Sequence, residues 1–396
     1  MAILGSLVFF LPALFALLAV FFIYPLFLYL HPPVRHSPQT IVRGKNIPRI
    51  SLIVVAHNAA TLIENKVRNC MALDYPSDHL DIFFCSDGST DQTEELIRPF
   101  ISGRVHFLAY PLHRGKAKVI NDIADQCPGD LLLFSDVDAI LEPDSLKMLV
   151  RHFSDDTIGG VSGLRVIRET EGSHLSGPQR NYIFADSMLK SLESRIGSTT
   201  SNDGKLYLIR RNLFRPISPA ATDDLFTCLN IVSQGKRFIF EPRARAYIEK
   251  PSQTMTHEIH RRRRIVCRSL YGIWLMRALL NPKRFKSFAA GLFINKVVRR
   301  TVPFLLIILF ISSLLLAFHY PFAWLSVGAQ VLIYVLAIFQ LITNKMNIRL
   351  PEMVDRTSAL AFYFCLGAIG TFLGVLDFLR GERYEKWEPV KADSPD

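Results

Sequence analysis

Residues Ile50–Ala56 read Ile-Ser-Leu-Ile-Val-Val-Ala, a continuous run of apolar and β-branched side chains. Such a run is typical of a strand buried on both faces, as in a parallel sheet covered by helices. Short apolar runs then alternate with stretches of helical spacing as far as about Lys250. Further strands are predicted at Leu80–Cys85, Val105–Ala109 and Asp130–Ser135. The alternation predicts an α/β domain with a mainly parallel sheet over residues 48–250.

The N-terminal end of the chain is far more apolar than this middle region. Hydrophobic residues make up 49% of the 396 residues, and they concentrate at Ile3–Leu30 and beyond about Pro303. Ile3–Leu30 carries no charge and is longer than the ~20 residues needed to cross a bilayer. A cleaved signal peptide would begin with basic residues, and Met1–Ser6 has none. We therefore predict a retained transmembrane anchor at residues 1–31.

The C-terminal third contains further candidate spans. They lie at about Thr301–Phe318, Phe322–Thr343 and Ser358–Leu379. About three C-terminal transmembrane helices are thus predicted over residues 301–380, followed by a polar tail at residues 381–396. Residues 251–287 mix a basic cluster with apolar side chains, which is typical of an amphipathic helix in the membrane interface.

Basic residues indicate which side of the membrane the α/β domain occupies. The flank after the first span holds Arg35, Arg43, Lys45 and Arg49. The positive-inside rule therefore predicts a multi-pass protein of the cell membrane with its middle domain in the cytosol. Four spans would place the C-terminus outside, whereas the tail contains Arg380, Arg383, Lys386 and Lys391. A re-entrant C-terminal segment would reconcile the two, and the sequence leaves this open.

The formal net charge is +11, which suits nucleic acid, anionic lipid or a phosphorylated substrate. The basic residues gather beside apolar spans and no nucleic-acid motif is present, so we expect a lipid bilayer and no nucleic acid. The six cysteines are scattered, without metal-ligand spacing. We therefore expect the cysteines to be buried free thiols of a protein domain in a reducing compartment.

Two acidic loops follow predicted strands. Asp136 and Asp138 stand two residues apart directly after an apolar strand. Such carboxylates, together with phosphate oxygens, can bind a divalent cation, although a solvated acidic turn has the same pattern. Asp87, in Ser86-Asp87-Gly88, can accept hydrogen bonds from a base or ribose. The alternative there is an Asx turn that caps the next helix.

A third acidic segment, Thr222-Asp223-Asp224-Leu225, opens a stretch of helical spacing. One of its carboxylates could deprotonate an acceptor hydroxyl. Helix capping is the alternative, and spacing alone favours it. Lys116 could pair with a phosphate or carboxylate, or face solvent at a helix start. Arg261–Arg264 could hold a diphosphate, although anchoring to anionic headgroups is favoured from the residues alone.

The order of these segments resembles the inverting family 2 glycosyltransferases of GT-A fold. Within them the chain is similar to the membrane-embedded synthases of cellulose, hyaluronan, chitin and poly-N-acetylglucosamine. The segments that carry the resemblance are Ser51–Asn58, Cys85–Asp91, Gly115–Ala117 with Asn121, Ser135–Ala139, Asn202–Arg211, Thr222–Asp224 and Phe238–Tyr247. The resemblance implies a Rossmann-like GT-A domain flanked by transmembrane helices.

The resemblance also implies roles for individual residues. Asp224 would be the catalytic base, and Asp136 and Asp138 would hold Mg²⁺ or Mn²⁺. Substrate-binding residues are implied at Ala56, Asn58, Asp87, Lys116, Asp136, Asp203, Gly204, Asp223 and Arg263. The implied donor is a nucleotide diphosphate sugar, and we expect a UDP-sugar. The acceptor would be a glycan or a lipid-linked molecule.

The chain departs from the processive synthases at one helix. They carry Gln-x-x-Arg-Trp where this sequence has His260–Arg264, so an arginine, Arg263, is kept while the Gln and Trp are missing. The first strand also has Val55 and Ala59 where the family has Pro and Glu. We expect transfer of a hexose or N-acetylhexosamine to a growing polysaccharide. The alternatives are non-processive transfer to a lipid carrier or glycan, and a membrane transporter or scaffold with an inactive domain.

Overall fold

The computed structural model of the chain describes residues 2–34, 47–168, 176–248, 254–346, 348 and 350–386. Four of the basic residues used in the orientation argument lie outside the described residues, namely Arg35, Arg43, Lys45 and Lys391.

An eight-stranded sheet with the order β3-β2-β1-β4-β7-β6-β8-β5 forms the centre of the α/β domain. Its strands are β1 (Ile50–Ala56), β2 (Leu80–Asp87), β3 (Val105–Tyr110), β4 (Leu131–Asp136), β5 (Ala139–Leu141), β6 (Ile158–Ile167), β7 (Tyr207–Arg210) and β8 (Arg237–Ile248). The first four strands run parallel, as predicted, with β1 between β2 and β4. β7 and β5 are antiparallel to their neighbours, so the sheet is mixed beyond β4.

Strand β1 is buried on both faces because helices cover both sides of the sheet. Its seven residues are all buried, with Leu52 and Val54 in one core layer and Ile53 and Val55 in the other. This alternation follows from the two-residue period of a strand. The helices that pack around the sheet are α3 (Ala60–Met71), α4 (Thr93–Ile97), α5 (Lys116–Ala124), α6 (Ser145–Val150), α7 (Ser176–Ile196) and α8 (Asp223–Ser233).

The remaining helices lie at the two ends of the chain. They are α1 (Ala2–Leu18), α2 (Tyr24–Leu30), α9 (Met255–Leu275), α10 (Pro282–Leu292), α11 (Arg299–Ala317), α12 (Ala323–Lys345) and α13 (Glu352–Leu379). Among the described residues, four stretches are long and apolar enough to cross a membrane: Gly5–Leu30, Pro282–Ala317, Ala323–Lys345 and Glu352–Leu379. Helix α1 packs on α11 through Phe10 and Ala13.

Helix α13 lies lengthwise along α9. Near the start of the pair, the hydroxyl of Tyr363 donates to Glu258. One to two turns further on, Arg262 lies against Gly367 and Gly370. Arg263 pairs with Asp377 near the end of α13. Helix α9 in turn packs on the α/β domain, where Arg268 donates to the carbonyl of Ala221 at 3.1 Å. Helix α13 is thus held against α9 from Tyr363 to Asp377.

The segment after α13 returns to the α/β domain. The carbonyl oxygen of Glu385 lies 2.5 Å from the position that a Cβ atom on Gly115 would take. The side-chain carboxylate of Glu385 also lies 2.8 Å from Nζ of Lys118. Glu385 therefore contacts the start of α5 in the α/β domain.

Candidate active site

Two of the sequence-predicted aspartates lie at the same edge of the sheet. Asp87 ends β2 and Asp136 ends β4, and both strands flank β1. In open sheets of this kind, ligands bind beyond the carboxyl ends of the strands. Strand register alone therefore brings two acidic loops, far apart in sequence, to one edge of the domain.

Lys116 joins two of the acidic segments. It is the first residue of α5, and its Nζ lies 2.5 Å from Oδ1 of Asp136 and 2.7 Å from Oδ2 of Asp223. Burial by itself would lower the pKa of Lys116, but the two carboxylates raise it well above its ordinary value. The side chain is therefore a permanent cation between Asp136 and Asp223.

Lys205 makes a second bridge within the same group. Its Nζ lies 2.7 Å from Oδ1 of Asp138 and 3.0 Å from Oδ2 of Asp136. Despite the opposing effect of burial, Asp136 and Asp138 raise the pKa of Lys205 to about 12. Burial would raise the pKa of Asp136, yet Lys116 and Lys205 hold it well below its ordinary value. The sequence analysis did not identify Lys205, although it directly follows Asn202-Asp203-Gly204.

Gly204 lies close to both the proposed metal ligand Asp136 and the proposed base Asp224. A Cβ atom at this position would meet Oδ2 of Asp224 at 3.7 Å and Oδ2 of Asp136 at 3.8 Å. The amide of Asn202 donates to the backbone carbonyl of Asp224 at 3.2 Å, which ties this loop to the start of α8. Asp136, Asp138, Asp223 and Asp224 thus form one carboxylate cluster with Lys116 and Lys205.

Asp224 has the electrostatic properties of a proton acceptor. Burial and, second, the neighbouring Asp223 carboxylate raise the pKa of Asp224 to about 6. The backbone N–H of Leu225 donates to its Oδ1 at 2.6 Å. The carboxylate is therefore ionised at neutral pH but more basic than an ordinary aspartate, as a general base requires. Thr222 takes the N-cap position of α8, but its side chain makes no capping hydrogen bond, and Asp223 and Asp224 form the first turn of the helix.

The acidic pair can contribute to a divalent metal site. Among the described residues there is no group of three His, Cys, Asp or Glu side chains that could hold a metal by themselves. Asp136 and Asp138 are both partly exposed, so their oxygens are accessible. Mg²⁺ and similar ions are commonly held by one or two carboxylates together with substrate phosphates. The donor set therefore fits a metal that is completed by a diphosphate.

Asp87 is more deeply buried than the other predicted site residues. Its side chain is 0% exposed. The carboxylate accepts the backbone N–H groups of Arg114 at 2.7 Å and Gly115 at 2.9 Å, and lies 2.9 Å from Nδ1 of His113. In this arrangement Asp87 organises the loop that precedes Lys116. A direct contact of Asp87 with a nucleoside remains a prediction.

The loop after β1 is tied to the loop after β2. Asn58 has a positive φ of 49°, and its side-chain oxygen accepts the N–H of Thr90 at 2.8 Å. Ala56, the last residue of β1, is buried and pairs with Ser86. His57 stacks on His113 with ring centroids 3.9 Å apart. The sequence analysis did not identify this histidine pair, which lies next to Asp87.

Asp203 faces a different set of partners from Gly204. Its Oδ2 lies 3.3 Å from Nε of Arg165 on β6 and 3.8 Å from Nζ of Lys190 on α7. Neither cation was predicted, because β6 and α7 carry no motif that points to them. Arg263, predicted to bind substrate, forms an ion pair with Asp377 of α13. The structure therefore pairs Asp203 with cations of β6 and α7, and Arg263 with the last long helix.

A profile of the family described as glycosyl transferase family 2 matches residues 51–217. This stretch contains β1, the loops of Asp87, Asp136 and Asp138, and the loop of Gly204. The chain contains a glycosyl transferase family 2 domain. The predicted GT-A fold is confirmed as well, because a likeness to a solved structure extends over nearly the whole chain.

That structure is a mannosyltransferase from Pyrobaculum calidifontis in complex with GDP-Man and Mn²⁺. The TM-score is 0.69 at 21% sequence identity, covering 97% of this chain and 100% of the other. At this identity the likeness concerns the fold of the family 2 domain and its flanking helices.

Curated relatives match the family 2 domain at low identity. A β-monoglucosyldiacylglycerol synthase from Synechocystis is 28% identical over 30% of this chain and 26% of its own length. An N-acetylglucosaminyltransferase from Azorhizobium caulinodans is 28% identical over 43% of this chain and 44% of its own length. The chain thus spans less than half of either relative.

Proposed function

We propose that this protein is a membrane-bound glycosyltransferase that transfers a hexose or N-acetylhexosamine from a nucleotide diphosphate sugar with inversion at the anomeric carbon. The match to the family 2 profile supports sugar transfer. The carboxylate cluster supports separate roles for Asp224 as the base and for Asp136 and Asp138 as metal ligands. The observation that carries the proposal is the position of Asp224, whose pKa is raised to about 6. Its Oδ2 and Oδ2 of Asp136 both lie within 4 Å of the position that a Cβ atom on Gly204 would take, so the proposed base and the proposed diphosphate site are close together.

The reaction follows from this arrangement. An acceptor hydroxyl gives its proton to Asp224 while its oxygen attacks the anomeric carbon. The bond between that carbon and the diphosphate oxygen breaks, and its electron pair leaves with the nucleotide. Inversion requires the base and the leaving group to lie on opposite faces of the sugar. Lys116 and Lys205 place positive charge beside the leaving diphosphate. A divalent cation held by Asp136 and Asp138 would further neutralise that charge.

The acceptor divides the proposal into two candidates. A growing polysaccharide is the acceptor that the resemblance to the synthases implies. Transfer to a membrane lipid is the second candidate, and the ion pair of Arg263 with Asp377 favours it. The family's arginine is engaged with α13 here, and the tryptophan that follows it in processive synthases is replaced by Arg264.

For the membrane arrangement we propose that the first span, α11 and α12 cross the bilayer while α13 lies in the interface beside α9. The contact of Glu385 with Gly115 supports this, because it returns the C-terminal segment to the side of the family 2 domain. The positive-inside rule makes that side the cytosol. The basic residues Arg380, Arg383 and Lys386 then also lie in the cytosol.

The test is nucleotide release by full-length protein in native membranes or detergent, screened over UDP-sugars and GDP-mannose with Mn²⁺. We expect turnover with at least one donor. Substitution D224N should lower turnover by roughly 10²-fold or more, because general-base catalysis contributes about that much, while nucleotide binding is retained. D125N, an exposed aspartate at the end of α5, is the matched control. Wild-type turnover in D224N would refute the assignment of the base.

A further inference from the structure

A group of cations surrounds the far side of Asp203, away from the carboxylate cluster. Lys190 on α7 lies 2.7 Å from Asp186, one turn before it, and 3.8 Å from Asp203. Arg165 on β6 lies 3.3 Å from Asp203. Asp203 directly precedes Gly204, which lies close to Asp224. The cations around Asp203 are therefore near the proposed base.

The group continues to the start of α11. Nζ of Lys296 donates to Ser201 at 2.6 Å and lies in the electrostatic field of Asp186. Arg299 and Arg300 follow, and both interact with Tyr182 of α7. The guanidinium of Arg262 on α9 lies 5.0 Å from the ring centre of Tyr182. Four elements, β6, α7, α9 and α11, therefore direct basic side chains to one place.

Positive charge exceeds negative charge in this group, which we call the cationic cluster. Its members are Arg165, Lys190, Arg262, Lys296, Arg299 and Arg300. Within the part of the chain that the structure describes, four carboxylates face these six cations, namely Asp186, Glu193, Asp203 and Glu258. Like charges held together in a partly buried place are costly unless an anion compensates them.

Two donors of the cationic cluster have no partner among the described residues. The Nε atoms of Arg299 and Arg300 are buried and make no hydrogen bond there. A buried N–H group without an acceptor costs about 1–3 kcal/mol, so native proteins leave few of them. Arginine presents its N–H groups in a planar fork that matches phosphate oxygens. An anion with several oxygens would accept hydrogen bonds from both unsatisfied donors and would compensate the excess of positive charge.

The cationic cluster lies where the polypeptide enters the membrane. Helix α7 packs on the end of the first span, where Leu189 and Leu192 contact Tyr24 and Leu28. The apolar part of α11 begins directly after Arg300. Helix α7 also exposes Phe184 (73%) and Met188 (52%), one turn apart on a different face of the helix from Tyr182. Basic residues at the end of a span lie at the level of lipid headgroups.

We propose that the cationic cluster binds the phosphate of a lipid-linked acceptor and thereby presents that acceptor to Asp224. The proposal rests on the proposed function, because it names the acceptor class of the same site. The apolar chain of the lipid lies in the bilayer, and its phosphate lies between α7 and the start of α11. The loop of Asp203 and Gly204 connects this phosphate site to the carboxylate cluster.

The experiment measures equilibrium binding of dodecyl phosphate to the full-length protein in detergent. We expect dodecyl phosphate to bind at least tenfold more tightly than dodecanol, and at least tenfold more tightly than inorganic phosphate. R300Q should weaken the binding by about 10- to 100-fold, the loss typical of a hydrogen-bonded charged donor. R300K, which keeps the charge, should recover part of it. R284Q on α10, outside the cationic cluster, should bind like the wild type.

Three results would overturn the proposal. The first is equal binding of dodecyl phosphate and dodecanol by the wild type. The second is unchanged binding in R300Q that elutes as a folded monodisperse protein. The third is equally tight binding of phosphatidylglycerol, a phosphodiester, because the site would then hold an ordinary bilayer lipid.

The proposed function is tested separately, by measuring nucleotide release by the wild-type protein with water as acceptor. If release occurs but dodecyl phosphate does not bind, sugar transfer stands and the phosphate site is wrong. If dodecyl phosphate binds through Arg300 but no donor turns over, the phosphate site stands and the transferase is wrong.

Discussion

Lys205 and Asp138 form an ion pair in which Nζ lies 2.7 Å from Oδ1 and 2.8 Å from Oδ2 of the carboxylate. The same ammonium group reaches Asp136 at 3.0 Å. The two carboxylates that we propose as metal ligands are therefore already neutralised by a lysine. A divalent cation must displace Lys205 or share these oxygens with it.

The first prediction concerns this competition. K205M should lower the Mn²⁺ concentration for half-maximal activity by roughly tenfold, because about 1.5–3 kcal/mol of charge-assisted hydrogen bonding no longer opposes the metal. The measurement is nucleotide release against Mn²⁺ concentration after treatment with EDTA. K147M, a lysine on α6 paired with Asp74 outside the site, is the control. An unchanged Mn²⁺ requirement in K205M would show that the lysine does not compete with the metal.

The second prediction concerns pH. Asp224 must be ionised to accept a proton, and its pKa is raised to about 6. We therefore expect kcat/KM to fall about tenfold per pH unit below pH 6 and to level off above it. D223N removes a negative charge that raises this pKa, so the acid limb should move to lower pH, even if the rate at the plateau also falls. In the control D125N the acid limb of the pH profile should stay where it is in the wild type. An acid limb that also stays in place in D223N would contradict the electrostatic argument.

The third prediction concerns Lys66, which is fully buried behind the acidic loop. Its ammonium group donates to Oγ of Ser135 at 2.7 Å and to the carbonyl of Ala139 at 2.5 Å, on either side of Asp136 and Asp138. Burial lowers the pKa of Lys66. K66M removes a buried charge but leaves these acceptors without their donor, a cost of about 1–3 kcal/mol for a buried group.

We expect K66M to lower the unfolding temperature of the protein by a few degrees, at about 2–4 °C per kcal/mol. It should also raise the Mn²⁺ requirement, because the loop that carries both carboxylates is less well held. The measurements are a thermal unfolding curve and the Mn²⁺ titration described for K205M, again with K147M as control. A lower unfolding temperature with an unchanged titration would limit Lys66 to a structural role.

The fourth prediction concerns the side of the membrane on which the C-terminal segment lies. In sealed vesicles, cysteines introduced at Lys118 and at Glu385 should react with a membrane-impermeant maleimide from the same side. A cysteine at Tyr320, between α11 and α12, should react from the opposite side. The described native cysteines are buried or partly buried, which keeps the background low. If the cysteines at positions 385 and 320 react from the same side, the protein has three full crossings over residues 301–380 instead.

Local pattern explains why the first half of the domain was predictable. The apolar run of β1 and the strands around it have short, regular periods, and their parallel order follows from the intervening helices. Helix α7 was not predicted. Its apolar side chains face two different environments, the first span at Leu189 and open surface at Phe184, so a single amphipathic stripe is weak.

By itself the sequence determined where a buried strand, an acidic turn and an apolar span occur, because each depends on neighbouring residues alone. It also ordered Asp87, Asp136 and Asp224 along a recognisable domain. Only the tertiary structure decided which charges meet: Lys116 with Asp223, Lys205 with Asp138, and Arg263 with Asp377. These pairs join separate elements, and a contact of that kind is set by sheet order and helix packing rather than by local spacing. For the same reason, the return of Glu385 to Gly115 could not be read from the hydropathy of α13.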